Sequence, residues 1–249
     1  MDLETLRRAL KAHVGRPVLR DGVRRISVEV LVADTVQMRL EIGQVWHSAS
    51  GHCDSVLCVL PGSPFAGTAV LMREQALVKR PQMWVWPATA EGPVAVARHR
   101  CEDQVVGTDF GYDDIRMFTP RLLTAAIGAE PADGGFTVRG MWPYKDRDPV
   151  VGVGRVDEHG VLVAVDLIKV GAIDPFRQLR ADRVAVVDGM PTPTVIRVVR
   201  PEEGFSSVMR LVAMTHGDPV ARKLFTAERL REAATAVTDA SSAVTMLRE

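Results

Sequence analysis

The sequence predicts a mainly β protein with a few helices, a sandwich or barrel of antiparallel strands. Three observations carry that expectation. Short Val-rich segments recur at spacings of roughly ten residues. Several alternate polar and apolar side chains, as strands with one buried and one wetted face do. Gly, Pro and Asp stand between them, where turns need them.

The first element departs from this rhythm. Residues 2–13 predict a helix, because Leu3, Leu6 and Leu10 recur at helical spacing with basic residues between them. Asp2 and Glu4 sit in its first turn, where the helix dipole favours negative charge, and Gly15 and Pro17 end it. This helix is expected to lie as a lid on a sheet. From Val23 the period becomes two. Thr35 to Ile42 is the clearest case: Val36, Met38, Leu40 and Ile42 take one side, and Gln37, Arg39 and Glu41 take the other. Further strands are predicted over 54–60, 68–73, 82–87, 94–99, 135–140, 150–157, 161–170, 182–188, 193–200 and 205–214. Asp157 to Gly160 and Val187 to Met190 read as hairpin turns.

Two regions break the β pattern. Residues 109–128 predict one or two short helices. Residues 226–235 predict another, with Thr226 as N-cap and Arg229 where a capping box prefers Glu. The tail, 236–249, is expected to fray. No internal repeat and no Pro/Gly linker divides the chain, so residues 1–249 are read as one domain.

Composition narrows the function classes. Lys plus Arg and Asp plus Glu number 31 each, for a formal net charge of zero. A nucleic-acid binder carries a basic excess to displace counterions from phosphates, so no nucleic-acid partner is expected. Arg7–Arg8 and Arg24–Arg25 read as short solvated clusters. No run approaches the roughly 18 unbroken apolar residues of a membrane span. Three cysteines, Cys53, Cys58 and Cys101, cannot all pair within one chain, which favours reduced thiols and a cytoplasmic setting. One disulfide and one free thiol is the other arrangement. Met1 to Val14 carries acids and no continuous apolar run, so it does not read as a secretory signal. The chain as it stands is expected in the cytoplasm; a periplasmic protein already trimmed of its leader is the alternative.

Several segments, in order, carry a resemblance. The most specific is Gly107-Thr-Asp-Phe-Gly-Tyr-Asp-Asp-Ile115. Around it stand Ser63-Pro-Phe-Ala-Gly-Thr-Ala-Val-Leu-Met72, Gln82-Met-Trp-Val-Trp-Pro87, Val187-Asp-Gly-Met-Pro-Thr-Pro193 and Leu224-Phe-Thr-Ala-Glu-Arg-Leu230. Together they resemble the LolA-like family of outer-membrane lipoprotein-sorting proteins over roughly residues 25–232. Gly111 stands where that family commonly has Ser, and Asp113 where it has Glu. The resemblance implies an incomplete antiparallel β-barrel, a half-barrel, with a helical lid across its concave face. It further implies an acyl chain, another lipid or a lipoprotein as the bound partner.

An apolar cavity of that kind binds by removing methylenes from water, at roughly 0.8 kcal/mol each. Its expected lining is Met38, Leu40, Met72, Met83, Trp84, Trp86, Phe110, Tyr112, Met117 and Phe118. Met209 and Met214 lie on or near inward positions, and Trp46 and Trp142 are further lining candidates. Methionine suits a face that must repack around varied ligands, although ordinary core packing also uses it. Asp109, Tyr112, Asp113 and His99 are the acid–base candidates. Asp109 reads more readily as an N-cap, with Asp113 and Asp114 in the first turn of a helix. His99, Cys101 and Asp103 share one face if residues 99–103 are extended, and a half-exposed strand end accounts for them as well. His47, His52, Cys53 and Cys58 lack zinc spacing, and no dinucleotide loop, P-loop, Gly-x-Ser-x-Gly elbow or HExxH occurs. No metal and no cofactor are expected.

The expected function is therefore a non-catalytic carrier or binding protein for a lipid or other hydrophobic molecule. The alternative is a cytoplasmic biosynthetic enzyme that orients an apolar intermediate in the same cavity. A sheet-based module that docks a pathway protein is the third reading.

Overall fold

In the computed structural model, residues 20–49, 52–75, 81–97, 103–112, 114–115, 126–142 and 149–244 are described. Their strands are β1 (Gly22–Val32), β2 (Thr35–Ala49), β3 (His52–Val59), β4 (Ala69–Gln75), β5 (Gln82–Trp86), β6 (Val94–Ala95), β7 (Ala126–Ala132), β8 (Gly135–Trp142), β9 (Val150–Asp157), β10 (Leu162–Lys169), β11 (Arg177–Val187), β12 (Met190–Arg200) and β13 (Phe205–His216). A 3₁₀ turn (Arg222–Leu224) and one α-helix, α1 (Leu230–Ala243), follow.

All thirteen strands form one antiparallel sheet in the order β6-β5-β4-β3-β2-β1-β13-β12-β11-β10-β9-β8-β7. The chain starts in the middle, at β1, and runs by hairpins to the β6 edge. It then crosses to the opposite edge, β7, and returns by hairpins until β13 pairs β1. The sheet does not close, so the molecule is an open half-barrel with a helix. Ala33 and Asp34 both have positive φ, and so do Asp188 and Gly189. Those are the two central positions of a type I′ turn, which keeps the strand twist through a two-residue hairpin. The Asp188-Gly189 turn is the one legible in the sequence.

Antiparallel partners directly opposite one another share a face. That rule sorts the side chains into two layers. On one face Val23, Val45, Val56, Cys58, Ala69 and Leu71 pack against Leu230, Ala233, Ala234 and Val237 of α1 and against Val220 and Phe225. This is the α face. On the other, Ile26, Val28, Leu40, Ile42, Leu57, Val59, Val70, Met72, Met83, Val198 and Met209 pack against Val105, Phe110 and Ile115 of the edge-to-edge connection. This is the crossover face.

Four expectations need correction. The predicted helices over 109–128 do not appear in the described part. Residues 109–112 and 114–115 are bends, turns and a bridge from Gly111 to Gln104, and 126–128 open strand β7. Ala126-Ile-Gly-Ala-Glu-Pro-Ala132 has poor β propensity, but as an edge strand it pairs only with β8, and Pro131 is tolerated there. Strand β2 continues past Ile42 to Ala49. The break in alternation at Gly43 reflects the helix above it: a Cβ there would lie 2.3 Å from Ser241 Oγ. Helix α1 runs Leu230–Ala243, not 226–235. Thr226 Oγ1 accepts from the Arg229 N–H at 3.3 Å in the turn before it, and the expected fraying tail is helical to Ala243 because Val237 and Ser241 are buried on the sheet. Finally, Arg24 is not a solvated charge but half-buried on the crossover face. The predicted helix 2–13 lies outside the described residues.

Segment 217–225 reaches the α face through a polar knot. His47 Nε2–H donates to the Val220 carbonyl at 2.6 Å, and Nδ1 faces Asp21 Oδ2 at 3.1 Å. The Asp21 carboxylate also accepts from Ser48 N–H at 2.7 Å and from Arg222 Nη2 at 2.7 Å. Burial pushes the Asp21 acid up, but these donors outweigh it and hold it below the usual carboxylate range. A carboxyl depressed in the folded state contributes stability that is complete above its unfolded value of 3.8 and lost as pH falls below it. Acid unfolding followed by circular dichroism should therefore show a smaller stability loss between pH 5 and about pH 2 in Asp21→Asn than in the parent, with the variant less stable at neutral pH.

Candidate functional site

The crossover face carries the candidate site. Its described cover is residues 103–112 and 114–115, which approach the sheet as turns, bends and a bridge. Val105 to Thr108 makes a tight turn: Thr108 N–H donates to the Val105 carbonyl at 3.0 Å, and so does its hydroxyl, at 2.7 Å. Val106 (φ 48°) and Gly107 (φ 74°) both occupy the left-handed region. Glycine enters it freely, whereas a β-branched valine is strained there. The turn points Val105, Phe110 and Ile115 into the sheet, and all three are buried.

Two carboxylates latch this cover. Asp109 is buried, and its N–H donates to Ser207 Oγ at 2.9 Å while Ser207 Oγ–H donates back to Asp109 Oδ2 at 2.9 Å. Arg200 Nε lies 3.1 Å from Asp109 Oδ1, an ion pair in which the N–H does not point at the oxygen. Asp114 accepts from the Gly111 N–H at 2.6 Å and from both terminal nitrogens of Arg177. Arg177 also donates to the Asp109 carbonyl at 3.0 Å. Strands β11, β12 and β13 thus supply Arg177, Arg200 and Ser207, which share the crossover face by register.

The structure divides the predicted lining residues. Met38, Leu40, Met72, Met83, Phe110 and Tyr112 meet on the crossover face. Trp84 and Trp86 lie on the opposite side and pack with the α1 cluster, Trp84 under the Arg73 guanidinium at 5.8 Å and Trp86 under Arg231 at 4.8 Å. Trp46 is buried on the crossover face, where its Nε1–H donates to the Arg20 carbonyl at 2.8 Å. Met117 and Phe118 lie outside the described residues. Toward the β7 edge the same face continues in Phe136, Val138, Val150, Val156, Val165 and Leu167, which pack among themselves and with Ala129, Leu162 and Phe176.

Among the acid–base candidates, His99 and Asp113 lie outside the described residues. Asp109 is not a helix N-cap; its carboxylate is engaged by Ser207 and Arg200. Cys53 and Cys58 are free and buried, and they project to opposite faces, so they do not bond to each other. Burial pushes both thiols up, and the charges of Glu74, Asp54 and Asp21 push Cys53 further. One group of metal-type ligands occurs among the described residues, Asp21, His47 and Asp218. Arg222 and Ser48 already occupy both oxygens of Asp21, so the group serves as the polar knot of the α face. The latch partners Ser207, Arg200 and Arg177 were not singled out from sequence, because they lie 63–98 residues from the carboxylates they hold.

No family model matches the sequence, and no curated protein matches it. Solved structures do. A putative outer membrane lipoprotein-sorting protein domain from Vibrio parahaemolyticus superposes with a TM-score of 0.72 at 12% identity, over 92% of this chain and 97% of that one. The fold is LolA-like. A DUF1329 family protein from Desulfovibrio piger gives 0.71 at 16% identity, over 91% and 98%. A LolA superfamily protein from Nitrosomonas europaea gives 0.64 at 13%, again over 91% and 98%. At these identities the likeness is one of architecture, and the LolA-like half-barrel expected from residues 107–115 is the architecture found. No described helix is long and apolar enough to cross a membrane.

Removing one side of a buried pair leaves an uncompensated charge, at a cost of about 3–5 kcal/mol, whereas an exposed pair contributes below about 1 kcal/mol. Denaturant unfolding should accordingly separate Asp109→Ala, strongly destabilised, from Asp182→Ala, which breaks the surface pair with Arg197 and costs little.

Proposed function

We propose that this protein is a non-catalytic carrier or binding protein for a hydrophobic molecule, a lipid or the acyl chain of a lipoprotein, held on the crossover face of the half-barrel. The observation that carries the reading is the way this face is covered. A broad apolar surface from β5 to β13 lies under a short irregular segment fixed by a polar latch. Among the described residues the one α-helix packs on the other face.

The energetics favour exchange. Burial of Val105, Phe110 and Ile115 contributes about 1.5–3 kcal/mol each, so roughly 5–9 kcal/mol in all. A chain of about ten methylenes offers about 8 kcal/mol by the same rule. On the sheet, the apolar contribution of an acyl chain is therefore of the same size as that of the cover. Met38, Met72, Met83 and Met209 line that surface and adapt to the shape of the occupant. The LolA-like fold of the Vibrio parahaemolyticus lipoprotein-sorting domain supports the same ligand class.

Native mass spectrometry of protein purified from its own host, followed by organic extraction, tests the reading. The expected result is a retained lipid or long apolar molecule, or uptake of a fluorescent fatty-acid probe by protein that arrives empty. Protein that is empty and also refuses the probe contradicts it.

A further inference from the structure

Of the described arginines on the crossover face, Arg177 and Arg200 each meet a carboxylate and Arg24 does not. It lies on β1 opposite Gln44 of β2 and Met214 of β13, which places it on the crossover face. Its neighbours along that face are Ile26 on its own strand and Ile42 and Trp46 on β2, all buried. Its guanidinium donates from Nε and from one terminal nitrogen to a single neutral acceptor, Gln44 Oε1, at 2.9 and 2.7 Å. Among the described residues no carboxylate lies within ion-pair distance of it and its other terminal nitrogen has no hydrogen-bond partner. Arg25, the next residue, faces the other way and pairs with Glu41 at 3.0 Å. Arg39, Arg177, Arg180, Arg197 and Arg200 each have a carboxylate of their own.

Desolvation alone lowers the Arg24 guanidinium to about 10, so it stays charged at neutral pH without a counter-ion to offset its burial. A guanidinium with free N–H donors in apolar surroundings is suited to an oxyanion, which it binds through charge-assisted hydrogen bonds. From Gln44 to Met38, β2 presents Ile42, Leu40 and Met38 on this face over six residues, about 20 Å of strand.

We propose that Arg24, held by Gln44, binds the acidic head group, carboxylate or phosphate, of an amphipathic ligand whose tail lies along Ile42, Leu40 and Met38. The proposal rests on the carrier reading above and deepens it, since a purely apolar site has no use for a head group.

The test compares two probes of equal tail, oleate and oleyl alcohol, titrated calorimetrically into the full chain at pH 8 below their micellar concentrations. A charge-assisted hydrogen bond at a desolvated site is worth about tenfold or more in affinity. The parent should therefore prefer oleate by at least about tenfold, and Arg24→Lys should keep part of that preference. In Arg24→Met the ratio should fall to about one. Gln44→Glu gives Arg24 an internal carboxylate and should abolish the preference too, which keeps the test decisive if Arg24→Met does not fold. Equal binding of both probes by the parent, or a preference that survives Arg24→Met or Gln44→Glu, overturns the head-group site and leaves the carrier reading intact. Binding of neither probe overturns the carrier reading itself. Inorganic phosphate at millimolar concentration should not displace oleate; displacement would show a site for a free anion and overturn the proposal.

Discussion

An antiparallel sheet of thirteen strands that does not close leaves two apolar faces to be kept from water. The rest of the structure follows from that constraint. Closure would have removed both edges and turned one face to the inside of a barrel. Here the β6 and β7 edges stay apart, and the chain must supply covers instead. Among the described residues it does so with two unlike devices, and the contrast between them directs the functional reading.

On the α face the cover is permanent. Helix α1 presents Leu230, Ala233, Ala234, Val237 and Ser241 on one stripe, and Gly43 clears the space that Ser241 takes. Segment 217–225 is pinned beneath by Asp21, His47 and Arg222. On the crossover face the described cover is a turn and a few bends. Its described apolar anchors are Val105, Phe110 and Ile115, and its position depends on Asp109 and Asp114 meeting Ser207, Arg200 and Arg177. A cover fixed by a few directional polar groups is released when those groups part, whereas a broadly packed helix must give up its whole apolar stripe. Residues 103–112 and 114–115 are thereby suited to give way to a ligand.

Much of the frame was legible in the residues. The alternation of Met38, Leu40 and Ile42 against Arg39 and Glu41 belongs to a strand with two different faces, although a register shift before it sets the exposed Val36 opposite Leu31 and out of that row, and Asp188-Gly189 makes the I′ turn that its chemistry favours. The misses have physical causes. Strand β7 is rich in Ala and Gly and carries a Pro, so its state is decided by its partner β8 and not by propensity. Helix α1 is longer than its own pattern indicates because tertiary burial of Val237 and Ser241 extends it. Gly107 to Ile115 was singled out by resemblance, but its acids looked like helix caps, since nothing local announces Arg177, Arg200 or Ser207. Arg24 and Arg25 looked like one solvated pair. Period two alone separates them, one to each face, and only the inward one lacks a carboxylate among the described residues.

The central claim is that residues 103–112 and 114–115 are an exchangeable cover and not part of a fixed core. Hydrogen exchange read by mass spectrometry, on delipidated and acyl-chain-loaded protein, tests it most directly. The account predicts that the amides of Val105, Thr108 and Gly111, which are hydrogen-bonded in the latched state, exchange faster on loading while those of β1 to β3 keep their protection. Equal protection of residues 103–112 in both states, with ligand shown to be bound, would contradict it.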